Sequence, residues 1–101
     1  MKFKDSKSLK HWKLPVNYNK LRWEERAEVR RQYIKEQDNL CYYCKTSLHE
    51  NPPKYYNLNL RLFPKGFLEN PIHLHHDHNT GLTIGAVHAY CNGVLWQYHG
   101  E

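Results

Sequence analysis

Two short motifs constrain this chain more than anything else in it. They are Cys41-x-x-Cys44 and, 44 residues after the second cysteine, His88-x-x-Cys91. Two ligand side chains separated by two residues can reach one tetrahedral ion from a tight turn, and a structural zinc site takes four such ligands. The chain holds three cysteines, an odd number that does not suit a disulfide framework. A histidine must therefore complete the set. His88 offers the same spacing to Cys91 that Cys41 has to Cys44, so the expected site is Cys41, Cys44, His88 and Cys91. His49 and His99 remain alternatives, without a cysteine neighbour at that spacing. A closed four-ligand site leaves no position for chemistry, so this zinc would serve folding.

A chain of 101 residues with 40% hydrophobic residues has a use for such a staple, because apolar burial alone is marginal at this length. Its size fits one domain. No apolar run approaches the roughly 20 residues that span a bilayer, which predicts no membrane partner. The N-terminus lacks the apolar stretch of a signal peptide, so the cytoplasm is the expected compartment.

Charge divides the chain. Residues 1–31 carry ten basic and four acidic residues, a balance of +6, whereas residues 32–101 carry five basic and six acidic residues and seven of the eight histidines. Residues 1–18 read as a basic, flexible or loosely docked arm, with Pro15 breaking any helix. The remainder, 19–101, reads as a single α+β domain. A helix is expected over 20–37, with Trp23, Ala27, Val29, Tyr33 and Ile34 on its apolar stripe and Glu24 and Glu25 at its positive end. Arg22, Arg26, Arg30 and Arg31 line its other side. Together with Lys10 and Lys13 they are the candidate DNA-backbone contacts, which would give affinity without sequence readout. Leu58, Leu60 and Leu62 alternate as a short strand would. Strands are expected over 72–76 and 82–87 around an Asn79-Thr80-Gly81 turn. A terminal helix over 89–99 is expected to point Val94, Leu95 and Tyr98 inward.

Residues 73–78 read HLHHDH, a density of imidazole that solvent-facing decoration does not explain. On a regular strand His73 and His75 would share one face and His76 would take the other.

From Cys41 onward the pattern resembles the HNH endonucleases, also called ββα-metal or His-Me finger nucleases, and within them the endonuclease VII-like phage branch. The residues that carry the resemblance are Cys41-x-x-Cys44, His75-His76-Asp77-His78-Asn79-Thr80-Gly81, Gly85 and His88-x-x-Cys91-Asn92, over about residues 38–99. The resemblance implies a small ββα-metal fold stapled by zinc. It implies His75 and Asn92 as ligands of a catalytic divalent ion and His76 as general base, with Asp77-His78 shaping the loop or touching phosphate. Three positions depart from the branch: His75 replaces an acid, His88 replaces a zinc cysteine, and Ile84 stands where arginine is frequent. Asp77-His78 is an alternative frame for the ligand–base pair. The segment 45–72 is longer than in short members.

The implied activity is hydrolysis of DNA phosphodiester bonds, by nicking or double-strand cleavage, with one divalent ion. Magnesium and manganese are the expected ions, and an imidazole ligand widens tolerance toward nickel or cobalt. An imidazole titrates near neutrality, which suits His76 to take a proton from water. The rival readings are a zinc-dependent DNA-binding module without catalysis and a structure-selective (junction) nuclease. The end of the chain just past the last helix favours nicking, or cutting within a larger phage assembly, over junction resolution. A homodimer is also open, and the compartment of a phage-encoded chain would be the host cytoplasm.

Overall fold

The computed structural model describes residues 11–100. Lys10 and the rest of the first ten residues lie outside the described residues. The order of elements is a 3-10 turn (Tyr18–Lys20), helix α1 (Trp23–Glu36), a second 3-10 turn (Leu60–Leu62), strands β1 (Ile72–His76) and β2 (Thr83–His88), and helix α2 (Ala89–His99). This is the α+β arrangement expected, with β1, β2 and α2 close to their expected bounds.

Helix α1 begins with Glu24 and Glu25 in its first turn, and the Glu25 carboxylate accepts from the Arg22 backbone N–H at 2.8 Å. It ends where Asp38 and Asn39 turn left-handed, at φ 55° and 64°, a conformation these two residue types tolerate. Val29 and Tyr33 are its buried residues. Trp23, expected on the apolar stripe, is instead 77% exposed. It lies about 120° around the helix from Val29, away from the seam that Val29 and Tyr33 share.

β1 and β2 form an antiparallel hairpin pairing Ile72 with His88, His73 with Val87, Leu74 with Ala86 and His75 with Gly85; the register then slips, so that His76 pairs with Thr83. Ile84 is the unpaired residue of this bulge. The turn is organised by Asp77, whose carboxylate accepts from the backbone N–H groups of Asn79 at 2.7 Å and Thr80 at 3.0 Å. Gly81 closes the turn at φ +81°, which favours glycine.

The segment ahead of α1 is docked rather than free. Thr83 donates its backbone N–H to the Val16 carbonyl at 2.9 Å, and its hydroxyl accepts from the Val16 N–H at 3.0 Å. Tyr18 donates to the Gly81 carbonyl at 2.7 Å. Residues 16–18 are therefore paired to the hairpin, the docked one of the two forms expected for the arm. Charge counting cannot see backbone pairing to a distant hairpin.

The Leu58–Leu62 alternation does not make a strand. Asn59 caps a single 3-10 turn by accepting from the Arg61 N–H, and Leu60 and Leu62 are about half exposed. A strand needs a partner, and the prolines at 52, 53, 64 and 71 leave this stretch irregular. It is pinned to α2 instead: Gln97 Oε1 accepts from the Asn59 N–H, and the Tyr90 hydroxyl from the Tyr56 N–H, both at 2.9 Å. Tyr98 hydrogen-bonds the Asn57 carbonyl and remains 45% exposed, so it is not an inward residue as Val94 and Leu95 are.

The core joins Val29, Tyr33, Leu48, Leu74, Ala86, Val87 and Leu95 to Cys41 and Cys91. Gln37, just past α1, acts as a surrogate strand. Its amide oxygen accepts from the Ala86 N–H at 2.8 Å, and its amide nitrogen donates to the carbonyls of Ala86 and Leu40. A Cβ on Gly85 would stand 2.7 Å from Gln37 Oε1 and 3.1 Å from Tyr42 Cβ. Because three hydrogen bonds pin that amide, it cannot yield cheaply. Gly85→Ala should lower stability by about 1–3 kcal/mol, measured by denaturant unfolding of the metal-loaded chain; an unchanged midpoint would contradict the close packing.

Candidate metal centre and histidine cavity

The Cys41–Cys44 turn is built by backbone bonds. Cys41 N–H donates to the Thr46 carbonyl, Lys45 N–H donates to the Cys41 carbonyl, and Lys45 is left-handed at φ 67°. Cys44 N–H points at Cys41 Sγ, at 3.4 Å. The other pair sits where the hairpin becomes a helix: His88 ends β2 and caps α2, and Cys91 lies in its first turn.

These four residues converge. One ligand atom from each of Cys41, Cys44, His88 and Cys91 lies within 4.8 Å of all the others. His88 Nδ1 stands 3.4 Å from Cys44 Sγ and 3.7 Å from Cys91 Sγ. Tetrahedral zinc, with Zn–S about 2.3 Å and Zn–N about 2.0 Å, places sulfur and nitrogen about 3.5 Å apart. The opposite ring nitrogen, Nε2, lies 2.8 Å from the Ser47 carbonyl and 2.9 Å from the Glu50 carbonyl. Two acceptors fix the proton on Nε2 and leave Nδ1 as the ligand atom, as metal-bound histidines are commonly held. The group can therefore bind a structural metal such as zinc. His49 and His99 do not join it; they bond Asn39 and Tyr43.

The electrostatics match a thiolate site. A hydrogen bond from the Cys91 thiol holds Cys41 down at about 4, against the opposing effect of burial. The same bond, with burial, pushes Cys91 up. Crowded sulfurs cannot all ionise unaided, and a metal cation bound among them would supply the missing compensation.

The second site is a cavity of about 340 Å³ between the hairpin, α2 and the 62–67 segment, lined by His75, His76, His78, Asn92, Trp96, Leu62, Phe63, Pro64 and Phe67. It gathers all four residues expected to carry chemistry. Strict alternation would send His75 and His76 to opposite faces; the register slip between them lets both line the same cavity. His75 is buried. His76 is pushed below the ordinary imidazole value, chiefly by burial and then by the neighbouring His78, His75 and Arg26, while a hydrogen bond to the Leu74 backbone pulls weakly the other way. The His78 ring meets His76 edge-on, with centroids 4.8 Å apart.

Two contacts here were not legible beforehand. Asn92 Nδ2 lies 3.1 Å from His73 Nδ1, and burial lowers His73 toward its neutral, accepting form. Tyr18 stacks on His76 with ring centroids 3.9 Å apart and planes 6° from parallel. Neither partner lies near its mate in the sequence, and no local spacing announces the pairing.

The arginines are distributed unevenly. Arg22 is exposed beside Glu24 and Glu25, and Arg31 and Lys13 are exposed. Arg26 folds over the Tyr18 ring, 3.9 Å from its centroid. Arg30 is half-buried, with its pKa lowered mainly by burial and then by Arg31. The charges of Arg26 and Arg30 reach the histidine strand, where they disfavour protonation of His76 and His73.

No family model, curated protein or solved structure matches the chain. The two sites therefore stand on their own geometry. The purified chain should carry one zinc ion, and cobalt in its place should show thiolate charge-transfer absorption. Cys91→Ser should abolish both and unfold the chain; a folded Cys91→Ser variant with full metal content would refute the assignment.

Proposed function

We propose that this protein is a metal-dependent DNA endonuclease of the HNH type, with Cys41, Cys44, His88 and Cys91 holding a structural zinc. The observation that carries the reading is the single cavity shared by His75, His76, His78 and Asn92 where a β-hairpin meets a helix.

The residues fit a catalytic divalent ion at this cavity. His75 supplies an imidazole, and Asn92, with its Nδ2 turned to His73, keeps Oδ1 for a cation. A divalent ion held by His75 and Asn92 would supply Lewis-acid compensation for charge on the phosphate and the leaving 3′ oxygen. His76 takes the proton from the attacking water. Burial and neighbouring positive charge keep its imidazole in the neutral, proton-accepting form, as a general base near neutrality requires. Asp77 is committed to its turn by the Thr80 and Asn79 N–H groups, which lower its carboxyl from the ordinary value. This supports the His75–His76 frame over Asp77–His78. His78 lines the cavity beside His76 and would meet phosphate in this reading. Arg22 and Arg31, with Lys13, offer exposed charge for the DNA backbone. The expected products carry a 5′ phosphate and a 3′ hydroxyl.

Relaxation of a supercoiled plasmid in magnesium, manganese or nickel tests this reading against a DNA-binding module without catalysis. His76→Ala should lower the nicking rate about 10²–10⁴-fold while zinc content and DNA affinity hold. Equal rates for variant and wild type would remove His76 from the mechanism; DNA binding without cleavage in all three ions would favour the non-catalytic module.

A further inference from the structure

The nuclease mechanism gives His76 its task but does not say what holds its ring. A general base must present its lone pair to a water within a narrow range of orientations. His76 sits at a bulge, where a strand's regular side-chain packing is interrupted. It is only half-buried. A position of this kind does not by itself set the tilt of the ring plane.

Tyr18 supplies the missing constraint. Its ring covers the imidazole at 3.9 Å and 6°, a face-to-face contact that opposes tilting of the ring plane. Tyr18 is itself held from three directions. Its backbone N–H donates to the Gly81 carbonyl at 2.7 Å. Its carbonyl accepts from Arg26 Nε at 3.2 Å, and the Arg26 guanidinium covers its ring. The preceding residue, Asn17, bridges to Leu82. The approach of this segment to the turn is close: a Cβ on Gly81 would stand 2.9 Å from Asn17 Oδ1. The aromatic ring is thus fixed to the same turn that follows His76 in the chain, and also to α1.

We propose that Tyr18 is a positioning residue for His76: its ring, held by Arg26 on one side and anchored through its backbone to the hairpin turn, sets the plane of the imidazole that accepts the proton. Tyr18 touches neither substrate nor metal in this role. The segment ahead of α1 is therefore a working part of the site. The proposal rests on the nuclease reading, and a readout that needs no DNA separates the two.

The test uses the full, zinc-loaded chain and the variants Tyr18→Phe, Tyr18→Leu and Tyr18→Ala. Leucine keeps apolar bulk without a ring and covers the case in which alanine fails to fold. In isotope-labelled protein the His76 ring protons should resonate upfield, shielded by the Tyr18 face. They should stay there in Tyr18→Phe and move downfield in Tyr18→Leu. In cleavage assays Tyr18→Phe should match wild type within about twofold, and Tyr18→Leu should lose about 10-fold or more in kcat with KM unchanged, the scale expected of a misaligned catalytic group. Unmoved His76 resonances in Tyr18→Leu would overturn the stacking. Moved resonances with a wild-type kcat, or a loss confined to KM, would overturn the positioning role alone. If wild-type protein cuts no DNA with any ion, the nuclease reading falls and the role falls with it, while the resonances still report whether the stack exists.

Discussion

The structure depends first on the convergence of three sulfurs and one imidazole. Cys41 and Cys91 are buried members of the same core as Val29, Leu74 and Val87, so the metal centre is not an appendage to the core but part of it. A core this small supplies only a few kilocalories of net stability. Structural zinc sites release about 10–16 kcal/mol on binding, enough to decide whether such a chain folds. The centre joins the Cys41–Cys44 turn to the junction of β2 and α2. A metal held there would brace the junction from which α2 carries Asn92 to His73 of β1.

From that junction the proposed chemistry follows by short steps. Helix α2 carries Cys91 to the metal centre and Asn92, the next residue, to the cavity, so one ligand's placement constrains the other's. The bulge opposite His75 and His76 turns two successive residues into one cavity lining. The seven histidines beyond residue 31 then separate by environment. His88 completes the metal group, His73 holds the Asn92 amide, and His75, His76 and His78 line the cavity. His49 and His99 make ordinary surface hydrogen bonds.

Legibility in the sequence followed the range of the interaction. The metal group was readable because paired ligand spacing is a local constraint with few solutions. The hairpin and α2 were readable because the Asn79-Thr80-Gly81 turn and the apolar pattern of 82–95 agree with each other. Trp23 and Tyr98 misled because periodicity ranks apolar residues without knowing where a helix meets its neighbour. Leu58, Leu60 and Leu62 misled because alternation does not provide a partner strand. The docking of residues 16–18, the bulge, and the contacts Tyr18–His76 and His73–Asn92 all join positions distant in the chain or depend on register. No local pattern encodes them.

The most direct measurement is end-mapping of defined DNA duplexes incubated with the zinc-loaded chain, with and without an added divalent ion. The account predicts cleavage only when the second ion is present, with 5′-phosphate and 3′-hydroxyl ends. Intact DNA under every ion tested, or cleavage undiminished by omission of the second ion, would contradict it.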